Sequence, residues 1–314
     1  MKKNNKNPIF WTGVVLSLLL LSYLVVLCFL DSENGHYEHN IDPFLYYFDR
    51  IGLGPSWYGL SYVVSFVLGF FLVRKNYQQC QVQITPAKYE TWIYYLIFGI
   101  MIGARLGYAF IYRPAHYLSH PWEILMVWEG GMSFHGGVIG VLTAALIFCK
   151  KNKYHFYTLA DPAMPLVALG IGFVRIANYI NGELYGKITT LPWAVIFPDE
   201  NKPGFNLVPR HPSQLYESLL EGFLMSIFLQ LLFLKTKTKG LIFWVFMCTY
   251  GIIRYFIEFI RLPDDLPIYE KGMIFGFLSM GQLLSLLMIV SSIVGMILMK
   301  AQKNNVKFFG VEKI

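Results

Sequence analysis

Residues 241–261 read LIFWVFMCTYGIIRYFIEFIR. Thirteen residues pass before the first charge at Arg254, and about 20 helical residues at ~1.5 Å each cover the ~30 Å of hydrocarbon in a bilayer. Seven further stretches have the same character: residues 10–30, 56–73, 92–112, 131–149, 159–179, 214–234 and 278–299. With 241–260 they predict an all-α, polytopic membrane helix bundle of about eight transmembrane helices. Pro162 and Pro165 fall in the fifth stretch, so its first turn is expected to be irregular.

Composition points the same way. Of 314 residues, 55% are hydrophobic, 17% aromatic and only 14% charged, with a mean hydropathy of +0.48. A soluble domain is nearer ~25% charged. Disorder, a fibrous repeat and an ordinary cytosolic enzyme are excluded. Cys28, Cys80, Cys149 and Cys248 show neither CxxC nor zinc-knuckle spacing, so no disulfide framework, metal or cofactor is expected. The net charge of +7 reflects loop placement rather than a nucleic-acid partner.

The loops alternate in charge. With the N-terminus cytoplasmic, the inner segments hold 16 of the 26 Lys and Arg, among them Lys2, Lys3, Lys6, Arg74, Lys75, Lys88, Lys150, Lys151, Lys153, Lys235, Lys237 and Lys239. The outer segments hold six: Arg50, Arg113, Lys187, Lys202, Arg210 and Lys271. This bias places both termini in the cytoplasm. The basic start and apolar run at 10–30 also suit a signal peptide. The run is too long for that, however, and no A-x-A-like site follows it, so an uncleaved anchor is the better reading. The chain is expected to form one integral-membrane domain, 1–314. Tyr46, Tyr47, Trp57, Tyr58 and Trp193 suit an interfacial belt.

Ionisable side chains in a bilayer are costly and mark candidate functional positions. On this topology Arg105, His135, Arg175, Glu217, Glu221, Arg254, Glu258 and Arg261 all fall in the outward halves of their spans, the pattern of a cavity opening toward the outer leaflet. Arg254, Glu258 and Arg261, at i, i+4 and i+7, share one helical stripe. Each has a plainer reading. Arg105 and Arg261 fit snorkelling to the interface, Arg254 and Glu258 fit a structural ion pair, and His135 fits a satisfied core histidine. Gly136 and Gly140 fit close helix packing, and either of Glu217 and Glu221 fits a partner for a neighbouring Arg. Asn178, Asn181 and Glu183 follow Arg175 at a helix end rich in glycine (Gly182, Gly186). Guanidinium groups match phosphate oxygens bidentately, so an anionic lipid headgroup suits the set. A lipid transporter needs the same arginines.

Several longer motifs carry a resemblance. Gly130-Gly131-Met132-Ser133-Phe134-His135-Gly136-Gly137-Val138-Ile139-Gly140, Arg175-Ile176-Ala177-Asn178-Tyr179-Ile180-Asn181-Gly182-Glu183-Leu184-Tyr185-Gly186 and Arg210-His211-Pro212-Ser213-Gln214-Leu215-Tyr216-Glu217 resemble, in order, the signature of the prolipoprotein diacylglyceryl transferase family. Trp57-Tyr58-Gly59-Leu60, the run Tyr250 to Arg261 and Ser279-Met280-Gly281-Gln282 complete it. The likeness spans about residues 50–300. Ala177 stands where the family commonly has Gly, Tyr179 where it has Phe, and the 10–30 anchor is additional.

The resemblance implies transfer of the diacylglyceryl group of phosphatidylglycerol to the lipobox cysteine of a preprolipoprotein signal peptide, in the bacterial cytoplasmic membrane. It implies His135 as candidate base, with Arg175 and Arg254 on the phosphate. Asn178, Glu183 and Glu258 orient the headgroup or the arginines, and Tyr58 donates a hydrogen bond. Gly186 and Arg261 complete the expected substrate contacts.

Overall fold

The computed structural model describes residues 8–29, 36–48, 54–80, 82–127, 130–197, 208–262, 273–274 and 278–308. Of the residues in the charge-bias argument, Lys2, Lys3, Lys6, Arg50, Lys202, Lys271 and Lys313 lie outside these. The described chain is mostly helical, with a helix at each apolar stretch. Five helices are long and apolar enough to cross a membrane: Trp57–Gln79 (α2), Pro86–Tyr112, Phe134–Asn152 (α5), Ser213–Lys235 and Met280–Ala301. Phe10–Val26, Met164–Ile180 and Leu241–Ile257 are shorter apolar helices. The first of these lies in α1 (Pro8–Leu27), and the other two are α7 and α10.

Local chemistry explains several helix ends. Pro86–Gly107 (α3) starts at Thr85, whose hydroxyl accepts from the Lys88 N–H at 3.4 Å, and then passes into a π-helical turn, Tyr108–Tyr112. The short Pro114–Ser119 (α4) follows. A turn at 161–163 separates Phe156–Ala160 (α6) from α7, where Pro162 suggests an irregular start. Asp161 in that turn accepts from the N–H groups of Gly240 (2.5 Å) and Phe243 (3.0 Å). It thereby supplies the anion that the N-terminus of α10 lacks in its own sequence. The helix Ser213–Lys235 comprises Ser213–Glu217 (α8), a π-helical stretch Ser218–Leu224 and Met225–Lys235 (α9). Met280–Phe308 (α11) begins with a capping box: Gln282 N–H donates to Ser279 Oγ and Ser279 N–H to Gln282 Oε1, both at 3.1 Å. That is the physical content of the Ser279-Met280-Gly281-Gln282 motif.

One helix end corrects the sequence reading. α10 stops at Ile257, and residues 258–260 form a turn. Arg261 therefore does not continue the helical stripe of Arg254 and Glu258.

The chain divides into two compact units, residues 1–75 with 161–314, and residues 76–160. In the 76–160 unit, α3 and α5 meet through glycine. A Cβ on Gly107 would stand 2.7 Å from the Gly136 Cα, and one on Gly99 would stand 2.9 Å from the Gly140 carbonyl oxygen. The small-xxx-small reading of Gly136 and Gly140 thus describes a backbone-to-backbone crossing. In the other unit, α7 and Ser213–Lys235 cross at Gly172 and Gly222, where a Cβ on Gly222 would lie 2.8 Å from the Gly172 nitrogen. Ser218 Oγ closes the crossing with a 2.9 Å bond to the Gly172 carbonyl. Buried Ala168, Met225, Leu229, Phe233, Ile242, Phe246 and Tyr250 form the adjoining core. Two-residue strands pair Tyr37–Glu38 (β1) in parallel with Val195–Ile196 (β2), and Met273–Ile274 (β3) antiparallel to Leu278–Ser279 (β4). Val63, Val67 and Phe71, one turn apart on α2, stay exposed, as lipid-facing residues do.

Candidate functional site

The site forms where α7, α8 and α10 converge. The Gly172–Gly222 crossing brings the end of α7, which carries Arg175, against the helix that carries Glu217 and Glu221. The geometry centres on Glu217, whose side chain is 1% exposed. Its Oε2 lies 2.7 Å from Arg175 Nε and 3.3 Å from Arg254 Nη1, and its Oε1 lies 3.9 Å from Arg261 Nε. Arg254 Nη2 also pairs with Glu258 at 3.0 Å, and Arg175 Nη2 stands 3.8 Å from Glu221. Three guanidinium groups and three carboxylates thus share one buried cluster of balanced formal charge. Buried ions persist only when paired in this way.

A second tier extends from Arg175. Its Nη1 donates to Asn178 Oδ1 at 3.5 Å, and Asn178 Nδ2 donates to Glu183 Oε1 at 2.7 Å. Asn181 Nδ2 reaches the same oxygen at 3.3 Å. Glu183 sits between two residues of positive φ, Gly182 (65°) and Leu184 (59°), which turn the chain sharply back onto α7. A non-glycine residue in that region is strained. Ser213 Oγ (3.1 Å) and Gln214 Nε2 (2.6 Å) hold the turn by donating to the Leu184 and Glu183 carbonyls. Tyr58 lies within electrostatic reach of Glu183 and Arg175, and its hydroxyl meets that of Tyr62 at 3.3 Å.

A backbone braid fixes the entry of Arg261. Gly186 is bridged to Arg261, and its N–H donates to the His211 carbonyl at 2.9 Å. Lys187 N–H donates to Ile260 O at 2.8 Å, and His211 N–H donates to Lys187 O at 3.0 Å. Any Cβ on Gly186 would stand 2.9 Å from both the His211 and Ile260 carbonyl oxygens. Gly186 therefore holds the braid closed, with its amide already bound. His211, just before α8, is partly buried, and burial pushes its imidazole below the ordinary range, so it is neutral at neutral pH.

Of the residues singled out in the sequence, Arg175, Asn178, Glu183, Arg254, Glu258, Arg261 and Tyr58 fall in this one unit. His135 lies in the 76–160 unit, exposed at the second residue of α5. Ser133 caps that helix by accepting from the Gly136 N–H at 3.2 Å.

Two arginine readings change. Arg261 does not snorkel, because its side chain is buried and turned to Glu217. Arg105 is buried as well. Its Nε donates to Ile124 O (2.9 Å), its Nη1 to Gly130 O and to Gly131 O (3.3 Å), and its Nη2 to Glu123 O (2.5 Å) and Met126 O (3.0 Å). A guanidinium has five N–H groups, and five carbonyls take them. Arg105 is a brace for residues 123–126 and 130–131. Arg210 is likewise structural: its backbone bridges Ile188 and Val195, and its guanidinium lies 5.3 Å over the Tyr185 ring.

In the sequence either of Glu217 and Glu221 fits a partner for a neighbouring Arg, and both stand against Arg175. The signal for them was their i, i+4 spacing inside an otherwise apolar span. Gly281 carried a signal only as part of a motif. It faces the Glu258 carboxylate, which a Cβ would approach to 2.6 Å.

The model of the family described as prolipoprotein diacylglyceryl transferase matches residues 47–298. The chain belongs to that family. Members named phosphatidylglycerol–prolipoprotein diacylglyceryl transferase include one from Geobacter sulfurreducens, 40% identical over 265 residues, which is 84% of this chain and 97% of the relative. One from Rickettsia bellii is 45% identical over 251 residues, 79% of this chain and 91% of its own. One from Bordetella avium is 42% identical over 253 residues, covering 79% and 93%. The arginine–glutamate cluster lies within the region matched to the transferase family, and residues 8–46, with α1 and β1, precede it.

Proposed function

We propose that this protein transfers the diacylglyceryl group of phosphatidylglycerol to the lipobox cysteine of preprolipoproteins. Membership of the family carries the reading, and the buried arginine cluster supplies chemistry suited to it. The thiolate sulfur bonds to the glycerol carbon that bears the phosphate. The C–O bond to the phosphate breaks, its electron pair stays on oxygen, and glycerol 1-phosphate leaves. A phosphodiester monoanion thus becomes a monoester moving toward a dianion. Fixed positive charge stabilises that change more than it stabilises the ground state.

Arg175 and Arg254 hold the phosphate. The Glu217, Glu221 and Glu258 carboxylates keep the guanidinium planes oriented and use only part of their donor capacity. Asn178 and Glu183 hold Arg175 from the far side, Tyr58 donates to the headgroup, and Gly186 and Arg261 complete the contacts through the braid. A thiol of pKa ~8.5 must lose its proton before attack, and His135 takes it. That assignment rests on the Ser133-Phe134-His135-Gly136-Gly137 motif and on imidazole chemistry.

The 16-to-6 partition of basic residues supports eight spans with both termini cytoplasmic, the cluster toward the outer leaflet of the cytoplasmic membrane, and one integral-membrane domain over 1–314 with an added anchor at 10–30. The deciding test uses the purified full chain with phosphatidylglycerol vesicles and a lipobox peptide. The expected product is the peptide heavier by one diacylglyceryl group, with glycerol 1-phosphate released in equal amount. Lipid movement between leaflets without peptide modification would replace the transferase with a lipid transporter.

A further inference from the structure

The segment that follows α3 carries a group of side chains that the transfer chemistry does not use. His116, His120 and Glu123 each offer a ligand atom, and the three atoms lie within 4.8 Å of one another. His116 Nε2 and Glu123 Oε2 are 2.6 Å apart, with their side chains 44% and 25% exposed. We propose that these three residues bind a divalent transition-metal ion, with zinc the best match to two imidazoles and one carboxylate.

The frame is built for a fixed geometry. His116 lies in α4, the His120 N–H donates to His116 O at 3.0 Å, and the Glu123 N–H donates to His120 O at 3.1 Å. The Glu123 carbonyl is in turn gripped by Arg105, whose other donors hold the carbonyls of Ile124, Met126, Gly130 and Gly131. Glu123 therefore stands on backbone that a buried arginine pins in place, and two backbone hydrogen bonds tie His120 and His116 to it. Tyr117, itself buried, packs under that guanidinium at 5.3 Å. The cysteine spacing that excludes a zinc knuckle has no bearing on such a site.

Outer-shell contacts set the ligand atoms. Ser119 Oγ has one proton and lies 2.9 Å from His116 O and 3.1 Å from Ala115 O. Giving its proton to a carbonyl leaves it the acceptor toward His120 Nδ1, 3.2 Å away. In that arrangement His120 would carry its proton on Nδ1 and offer the Nε2 lone pair to a metal, as ligating histidines usually do. At His116 the ion replaces the proton shared with Glu123.

With metal–ligand bonds of ~2.0–2.2 Å, tetrahedral donors stand about 3.3 Å apart. His116 Nε2 and Glu123 Oε2 thus open by a fraction of an ångström, and the wider separations, all within 4.8 Å, close by at most about 1.5 Å. Rotamer changes of exposed side chains accommodate both. Three protein ligands leave the fourth position to water. The bound ion would staple residues 116–123 onto the frame that Arg105 anchors.

The test uses the full chain in detergent, stripped of metal, and titrated with cobalt(II) as a spectroscopic stand-in for zinc. The expected result is the ligand-field absorption of a low-coordinate cobalt site, displaced stoichiometrically by zinc. Trp122 packs edge-on against His120 at 5.4 Å, so cobalt should also quench its fluorescence, and Trp122→Phe should remove that signal without removing the absorption. His120→Ala and Glu123→Gln should each weaken binding by at least roughly 10- to 100-fold, the scale of losing even an outer-shell partner. Absence of the bands at millimolar cobalt would overturn the assignment. Equal binding by the wild type and a His116→Ala/His120→Ala double variant would do the same, by locating the ion elsewhere.

Discussion

Glu217→Gln is the sharpest test of the cluster. Gln keeps the shape and one carbonyl oxygen but removes the charge on which Arg175 (2.7 Å), Arg254 (3.3 Å) and Arg261 (3.9 Å) converge. Three guanidinium groups then face only Glu221 and Glu258, and the cluster carries one uncompensated positive charge. Breaking a buried pair from one side costs about 3–5 kcal/mol. At ~2–4 °C per kcal/mol for chains of roughly this size or somewhat smaller, the melting temperature in detergent should fall by on the order of 10 °C. Glu221→Gln is the control, since its nearest pairing in the cluster is the 3.8 Å approach to Arg175, and it should cost clearly less. The assay is thermal unfolding of both variants under one detergent and salt condition, followed by turnover of the folded protein at low temperature. If Glu217→Gln melts no lower than Glu221→Gln, Glu217 is not the centre of the network and the geometry has been misread.

Other outcomes follow from the same contacts. Arg175→Lys and Arg254→Lys should each lower transfer roughly 30- to 1000-fold, the equivalent of ~2–4 kcal/mol, because an ammonium cannot reproduce the planar fork; full activity in both, measured by peptide mass gain, would move the phosphate elsewhere. Arg261→Lys, which snorkelling would have made mild, should lower stability measurably, since the side chain is buried against Glu217. Arg105→Lys leaves at least two of five carbonyls without a donor, so hydrogen exchange and proteolysis within 120–131 should rise while the KM for lipid stays unchanged. Cysteine labelling near Lys151 and Lys237 should report the cytoplasmic side; labelling from outside at Lys237 would invert the topology.

The helices were legible because a bilayer leaves little choice: an apolar run of sufficient length must satisfy its backbone internally. The members of the cluster were legible for a related reason, since charge inside such a run is too costly to be incidental. What the sequence could not show was which charge meets which. Glu217 and Glu221 look alike on one helix, and only the Gly172–Gly222 crossing brings Arg175 to 2.7 Å from the first and 3.8 Å from the second. Arg105 is the opposite case. It occupies a span position that suits either a lipid headgroup or the interface, yet its partners are five backbone carbonyls between Glu123 and Gly131. Carbonyls carry no sequence signature, so no reading of residue types could have found them. The early end of α10 was hidden similarly, because 258–260 are compatible with helix, and what ends it is the pairing of Arg261 with Gly186 in the braid.

The helix that precedes the family-matched region touches Tyr179 of α7. The additional helix α1 buries Phe10, Val14, Leu21, Leu24 and Cys28, roughly one residue per turn on a single face. At its end, Cys28 Sγ stands 3.4 Å from the hydroxyl of Tyr179. His39, in the strand-forming segment beyond, packs edge-on against the same ring at 5.4 Å. A buried phenol needs a partner for its hydroxyl, and the end of α1 supplies one. Tyr179 follows Asn178 on α7, which links the N-terminal segment to the helix that presents Arg175. Removing residues 1–30 should therefore lower the melting temperature yet spare turnover in the fraction that stays folded, because the ion pairs of the cluster join Arg175, Glu217, Glu221, Arg254, Glu258 and Arg261 to one another. Tyr179→Phe should restore part of the lost stability in the truncated protein and none in the full chain. If Tyr179→Phe has the same effect with and without residues 1–30, the hydroxyl and α1 act independently.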